Sequence, residues 1–407
     1  MERRIAEFLE QREAEGLLRG LTPVQRLGGG KIRVNGREYT DLSSNDYLGL
    51  SSHPEIRKSA IEAFSPVFGS AASRLMTGSS LLHHILENRV SAFKKKPAAV
   101  VFNSGYQANV GVISALCGKG DCVFFDRLSH ASILDGIKLS GARPFRFRHN
   151  DTGHLEELLA RERGRYRGAM VITETVFSMD GDLAPLEEIV RLKERYNCVM
   201  MADEAHATGI FGKNGTGMAE EKGVSGKVDI LMGTFSKALG GFGAYVATAL
   251  DVRDYLVNTA RSFIYSTSLP PAVIAADITA LGLIESEPYR RRVLLSNADH
   301  LRGELKKTGF KVTGNSQIIP VITGDNAGTV RISEYLRGKG WWVTPVRPPT
   351  VPEGKARLRI SLSYDHTKET LDRFIKDIAD AKRKHFHDGT VLYAPYREDP
   401  HRAEGPW

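Results

Sequence analysis

Short, mostly apolar runs alternate with stretches of helical periodicity through the middle of this chain. Ala98–Asn103, Cys122–Asp126, Pro144–Phe147, Ala169–Thr175, Cys198–Asp203, Asp229–Gly233 and Ala244–Ala249 read as strands. Between several of them, segments such as His154–Glu162 and Leu186–Tyr196 repeat apolar residues at the spacing of a helix with one buried side. Buried strands separated by amphipathic helices imply an α/β fold, with a mainly parallel central sheet covered by helices on both faces. Ala244–Ala249 directly follows a glycine-rich turn, which leaves no room for a crossover, and is expected to run antiparallel.

The pattern changes at both ends. Ile5, Phe8, Leu9, Leu17 and Leu18 form a rough helical stripe that ends near Gly20. Lys31–Val34 and Arg37–Thr40 flank Asn35-Gly36, a strong hairpin signal because both turn positions tolerate positive φ. After Ser266–Pro271 a long helical stretch runs from Ala272 to about Lys307. A smaller α+β unit follows, with strands at Gln317–Ile322, Trp341–Pro345 and Arg357–Ser363 and a closing helix at Lys368–Lys384. The expected division is an N-terminal helix and hairpin over 1–45, a large domain over 46–285, a small domain over 286–384 and a tail over 385–407.

Composition narrows the function classes. With 407 residues, 41% hydrophobic and 26% charged, the chain has the make-up of a soluble globular protein. The first ten residues carry acids and lack a signal-peptide core, and no apolar run reaches the roughly 18 residues of a membrane span. Three cysteines without metal-ligand spacing fit a reducing compartment, so a cytoplasmic location and no metal are expected. The net charge of +8 is spread along the chain without a nucleic-acid-binding motif, which argues against a nucleic-acid partner.

The candidate chemistry gathers at strand ends. Asp203 ends one buried run, and Lys237 lies just past the end of a later one, in Gly233–Gly241. Pyridoxal phosphate needs a lysine amine for its aldehyde and a carboxylate to keep its ring nitrogen protonated. Ser104–Asn109 puts Gly105 and Tyr106 at a helix start, where free backbone N–H groups can seat a phosphate. His130 follows another strand end, where an imidazole could lie flat on a ring. Ser178 either donates into the site or caps its turn, and Thr234 and Ser236 could hold phosphate oxygens. Arg357 and Arg359 alternate onto one strand face and could grip a carboxylate. Gly240–Gly243 precedes a strand where a dinucleotide fingerprint would follow one, so a nicotinamide oxidoreductase lacks support. A non-catalytic binding protein would have no use for the intact lysine, acid and histidines.

Ser44–Leu50, Asp126–Ser132, Asp203–His206 and Thr234–Lys237 together resemble the α-oxoamine synthase family of fold-type I pyridoxal phosphate enzymes, from about residue 3 to 383. The resemblance implies that fold, a homodimer with shared sites, and a decarboxylative condensation of an amino acid with an acyl thioester. Arg347–Pro352 resembles the branch that joins L-alanine to a pimeloyl thioester in biotin biosynthesis. Sister activities such as glycine C-acetyltransferase remain the alternative, and the carrier is either coenzyme A or acyl carrier protein. Ala71, Ala72 and Ala207 stand where relatives usually have glycines, near the expected site.

By the same resemblance Lys237 holds the cofactor and then acts as base, Asp203 pairs with the ring nitrogen, His130 stacks on the ring and His206 meets its phenolic oxygen. Gly105, Tyr106, Ser178 and Thr234 would contact the cofactor, with Ser266 or Thr267 lent by a second subunit. Arg359 would take the alanine carboxylate, with Asn45 among the substrate contacts, and Arg19, Arg347 and Thr350 would face the acyl group.

Overall fold

Strands that bury both faces need cover on both sides, and the computed structural model, which describes residues 1–15, 17–64 and 67–385, supplies it. The N-terminal strands are β1 (Gln25–Gly28), β2 (Lys31–Val34) and β3 (Arg37–Asp41). The central strands are β4 (Ala98–Phe102), β5 (Asp121–Asp126), β6 (Arg143–Phe147), β7 (Gly168–Glu174), β8 (Val199–Asp203), β9 (Ile230–Thr234) and β10 (Ala244–Thr248). These seven form one sheet in the order β4-β10-β9-β8-β7-β5-β6. All run parallel except β10, which pairs antiparallel with both β9 and β4, as its short approach turn predicts. On the edge strand β6, Arg143 and Arg146 are exposed, and such charges discourage pairing with another chain.

The register decides where chemistry can happen. Glu174 lies opposite Asp203, and Asp203 opposite Met232, so the carboxyl ends of β7, β8 and β9 finish side by side. Ligands of such sheets sit beyond those ends.

The C-terminal unit contains β11 (Lys311–Val312), β12 (Ile318–Gly324), β13 (Trp341–Trp342), β14 (Thr344–Val346) and β15 (Ala356–Ser361). Its sheet runs β11-β12-β15-β14, so the arginines of β15 are interior and buried, not on an edge. The single strand expected at Trp341–Pro345 is two: β13 leaves to pair parallel with β3, while β14 pairs with β15. The long stretch from Ala272 is likewise two helices, Pro271–Ser286 and Tyr289–Lys307. Pro288 disfavours helical backbone at the residue before it, and Glu287 leaves the helix there.

The first helix spans Glu2–Ala14 and stops short of Gly20, with none of its residues buried, so packing within this chain does not support a longer one. Of the tail expected over 385–407, all but the first residue lies outside the described residues.

One buried ion pair ties the covering layer to the sheet. The helix Leu81–Lys94 ends in Lys94, whose Nζ reaches Glu204 Oε2 at 2.5 Å with both side chains about 1% exposed. Nζ also donates to Thr208 Oγ1 at 3.2 Å and to the Thr216 carbonyl. Lys94→Met would strand the Glu204 carboxylate in the core, and breaking a buried pair from one side costs about 3–5 kcal/mol. Denaturant unfolding is expected to show that loss, and a Lys94→Met/Glu204→Gln double variant should recover part of it.

Candidate active site

Lys237 owes its position to a turn pinned from inside. The Thr234 hydroxyl donates to Gly243 O at 2.7 Å and accepts from Ser236 N at 3.1 Å, while Gly240 N donates to Lys237 O at 2.9 Å. Gly240 has φ 67°, and a Cβ there would meet Ser51 N at 2.3 Å, so only glycine lets the turn lie against residues 50–51. Burial lowers the proton affinity of Lys237, helped by the charge of Arg359, while Asp203 and Glu174 oppose the shift.

Asp203, buried at the end of β8, accepts Ala205 N on Oδ1 and Asn109 Nδ2 on Oδ2, each at 2.9 Å. Asn109 belongs to the helix Gly105–Leu116, and its Nδ2 also donates to Ser132 Oγ at 2.9 Å. Ser132 Oγ lies 2.7 Å from His130 Nδ1, and His130 N donates to Glu174 Oε1 at 2.7 Å. A continuous hydrogen-bonded chain thus runs from Asp203 to the His130 ring, which is itself exposed. Burial lowers the pKa of His130, and the nearby Lys237 charge adds to this against the pull of Asp203. Burial, then the Asp203 charge, raise the pKa of Glu174 well above its ordinary 4.5, against the hydrogen bond from His130 N.

A second cluster faces the first. His206 Nδ1 lies 2.7 Å from the Tyr47 hydroxyl, which donates to Asn45 Oδ1 at 3.0 Å. Arg359 Nη2 reaches Asn45 Oδ1 at 3.2 Å, and its Nε donates to Ser178 O at 2.6 Å. The His206 carbonyl accepts Gln317 Nε2 at 2.9 Å, which links β8's end to the C-terminal unit. Lys237, Ser236, Asn45, Asp46, Arg26 and Trp342 line a cavity of about 400 Å³.

The structure brings Lys237, Asp203, His130, His206, Asn45 and Arg359 near one another, and ties the Gly105 helix to Asp203 through Asn109. The first N–H groups of that helix, at Gly105 and Tyr106, have no carbonyl of their own helix to meet. Ser178 presents its carbonyl to Arg359, and its hydroxyl bonds no described residue. The proton of the Thr234 hydroxyl goes to the turn it closes, which leaves the exposed Ser236 hydroxyl, 2.6 Å away, as the outward group. Ser266 and Thr267 lie beside the start of the same helix: Ser266 Oγ donates to Ser262 O at 2.7 Å and accepts Gln107 Nε2 at 3.4 Å, and Thr267 O accepts Asn103 Nδ2 at 2.6 Å. Arg19 and Thr350, 331 positions apart, are joined by a 2.9 Å hydrogen bond, and Thr350 N donates to Arg347 O. Sequence reasoning passed over Tyr47, Asn109, Ser132, Glu174 and Gln317; of these only Glu174, an acid closing an apolar run as Asp203 does, carried a visible signal.

A family model described as aminotransferase class I and II matches residues 37–378. An 8-amino-7-oxononanoate synthase of Geobacter sulfurreducens is 47% identical over 383 residues, covering 93% of this chain and 98% of that one. The chain belongs to the class I and II aminotransferase family. Among solved members, a serine palmitoyltransferase of S. paucimobilis carrying a PLP–myriocin aldimine (PLP, pyridoxal phosphate) superposes with a TM-score of 0.88 at 31% identity, over 94% of this chain and 97% of that one. An 8-amino-7-oxononanoate synthase of Francisella tularensis gives 0.75 at 28% identity, over 86% and 99%. The fold is therefore the fold-type I aminotransferase architecture, with the smaller C-terminal unit against the large sheet. Among the described residues, no helix is long and apolar enough to cross a membrane.

Burial, then the charges of Lys237, Arg359 and His130, hold His206 well below its ordinary 6.5. The unfolded chain takes up a proton near that value while the folded site refuses it, so this part of the stability is present above pH 6.5 and lost as the pH falls. In thermal melts, the lead of the unchanged chain over His206→Asn is expected to shrink as the pH drops below 6.5. A lead that stays constant would contradict a neutral His206.

Proposed function

We propose that this chain is an 8-amino-7-oxononanoate synthase that uses pyridoxal phosphate to condense L-alanine with a pimeloyl thioester, releasing carbon dioxide and the free thiol. The observation that carries this is the near-full-length identity of 47% to a synthase of that name, on a chain that keeps Lys237, Asp203, His130 and His206 together. The residues fit the cofactor. A lysine with lowered proton affinity lies near a buried carboxylate, a helix start offers free N–H groups, and an imidazole leaves its ring exposed.

When bound, the cofactor supplies an electron sink for the carbanion left at the amino-acid α-carbon. Lys237 would hold its aldehyde, and the Lys237 amine would take the proton from the α-carbon of alanine and return one. Asp203, held by Asn109 and the Ala205 N–H, keeps a proton on the ring nitrogen. His130 would stack on the ring, and His206 would meet its phenolic oxygen. The N–H groups of Gly105 and Tyr106, the hydroxyls of Ser236 and Ser178, and Ser266 or Thr267 from a second subunit would complete the cofactor contacts, while Thr234, whose hydroxyl proton is held by Gly243 O, shapes the turn that carries Ser236. Arg359 grips the alanine carboxylate with Asn45 beside it. The Arg19–Thr350 pair and Arg347 receive the acyl group, whose carrier is coenzyme A or acyl carrier protein.

The three cysteines are buried and unpaired, which supports a reducing, cytoplasmic setting. Phe64, Phe68, Leu75, Met76, Leu81 and Ile85 are exposed within one segment of the chain, more apolar surface than a lone soluble subunit usually shows. We assign this surface to the homodimer contact. Sedimentation should show twice the chain mass, and Phe68→Glu/Met76→Glu should shift it toward the monomer.

The reading is tested with purified protein, L-alanine and pimeloyl-CoA or the pimeloyl carrier protein, with glycine and acetyl-CoA run alongside. Alanine-dependent thiol release with the keto-amine product is expected, and Lys237→Ala should abolish both turnover and the bound-cofactor absorbance. Release with glycine alone would reassign the chain to a sister enzyme. Turnover by Lys237→Ala would remove Lys237 from the chemistry.

A further inference from the structure

Asp126 closes β5 four residues before His130 and is fully buried. Its Oδ1 accepts Leu128 N at 2.8 Å and His149 Nδ1 at 2.9 Å, and its Oδ2 accepts Asn150 N at 2.8 Å. On the other side, His149 Nε2 meets Asp182 Oδ2 at 2.7 Å. The imidazole stands edge-on to Phe177, with ring centroids 4.5 Å apart. With a carboxylate against each nitrogen, both nitrogens donate, and the ring is a cation. Burial alone would push its proton off, but the hydrogen bonds and charges of Asp126 and Asp182 raise the pKa to about 10.

Asp182 ends a turn whose carbonyls face the arginines of β15. Besides the Arg359 contact to Ser178 O, Arg357 Nη1 donates to Met179 O at 3.1 Å and to Asp180 Oδ1 at 2.6 Å. The turn is also held from the C-terminal unit, since Gly181 O accepts Asn315 N at 3.0 Å and Ser316 Oγ at 2.7 Å. His149 is the cationic link from this turn to the large sheet. A neutral side chain in its place would do more than lose two bonds. It would leave Asp126 and Asp182 facing each other without a cation between them, and like charges in a poorly solvated gap repel.

We infer that His149 is a positioning residue for the amino-acid substrate: by bridging Asp126 and Asp182 it fixes the 177–182 turn, and with it Arg359, relative to the strand end that carries His130. This rests on Arg359 taking the substrate carboxylate, as proposed above. His149 touches neither substrate nor cofactor. It sets the distance between the group that holds the carboxylate and the group that covers the ring, a distance on which proton removal from the α-carbon depends.

The test uses holoenzymes of the parent chain, His149→Gln, Asp182→Ala and Arg359→Lys. Each is titrated with L-alanine, and binding is read from the absorbance of the bound cofactor. His149→Gln and Asp182→Ala are each expected to raise the Kd for alanine about tenfold, with the KM for the acyl thioester unchanged. A purely structural role would lower the melting temperature without that selective loss. Asp182 is partly exposed, so its variant decides the matter if His149→Gln does not fold. If Arg359→Lys binds alanine like the parent, the carboxylate assignment falls and the inference with it. If Arg359→Lys loses affinity while Asp182→Ala keeps the parent Kd, the carboxylate assignment stands and the positioning role of His149 is overturned.

Discussion

Glu204 sits between Asp203 and His206, and how it is held determines where both of its functional neighbours point. Its N–H donates to Met232 O at 2.8 Å, and its carbonyl accepts the N–H groups of Ala207 and Thr208, each at 2.9 Å. Its carboxylate takes Lys94 on one oxygen and Ala219 N, at 2.8 Å, on the other. A residue anchored at every polar atom cannot swing, so Asp203 stays aimed at the Asn109 side and His206 at the Tyr47 side. An ion pair this deep is a poor source of net stability, because desolvating two charges offsets most of their attraction. What it supplies is a fixed direction. A hydrophobic pair could fill the same volume without specifying which way the strand leaves the sheet.

The site is shared between two bodies of structure. The large sheet supplies Lys237, Asp203, His130 and His206, and the C-terminal unit supplies Arg359 and Gln317. Beside a shared apolar core, polar contacts join them: Gln317 Nε2 to the His206 carbonyl, Arg359 to Ser178 O, and Ser316 to Gly181 O. Such contacts are specific in distance and angle, unlike apolar packing, which tolerates sliding. That suits a site whose carboxylate grip and proton-transfer lysine come from different units.

Much of this was legible in the residues. Apolar runs marked the central strands to within a residue or two, and the glycine-rich turn before Ala244 marked the one reversed strand. Acids and a lysine ending buried runs marked Asp203 and Lys237. The helix Leu81–Lys94 was hidden because its buried face includes His83, Glu87 and Lys94, which break the apolar stripe. Two of these make sense only through partners outside the helix: Glu87 with Arg74 at 2.8 Å and Val101 N at 3.0 Å, Lys94 with Glu204. Asn109 and Gln317 were illegible for the same reason, since an amide says nothing of its destination until the fold brings it there. The break at Pro288 could have been read locally, whereas the division of Trp341–Pro345 between two sheets could not, because β13 pairs with β3 near the other end of the chain.

That division has a mechanical meaning. Trp342 pairs with Asp41 of the N-terminal hairpin and Thr344 with Arg359 of β15, so a single residue, Val343, separates two sheets. Thr40 N to Gly340 O and Leu42 N to Trp342 O, both 2.9 Å, add backbone rungs to the same seam. The hairpin and the C-terminal unit are therefore stitched into one piece, like a hinge leaf with its pin welded in. Trp342 and Arg26, which both line the cavity, ride on that piece together. A displacement of either sheet is therefore passed to the other through Val343, and the two cavity walls formed by Arg26 and Trp342 keep their spacing.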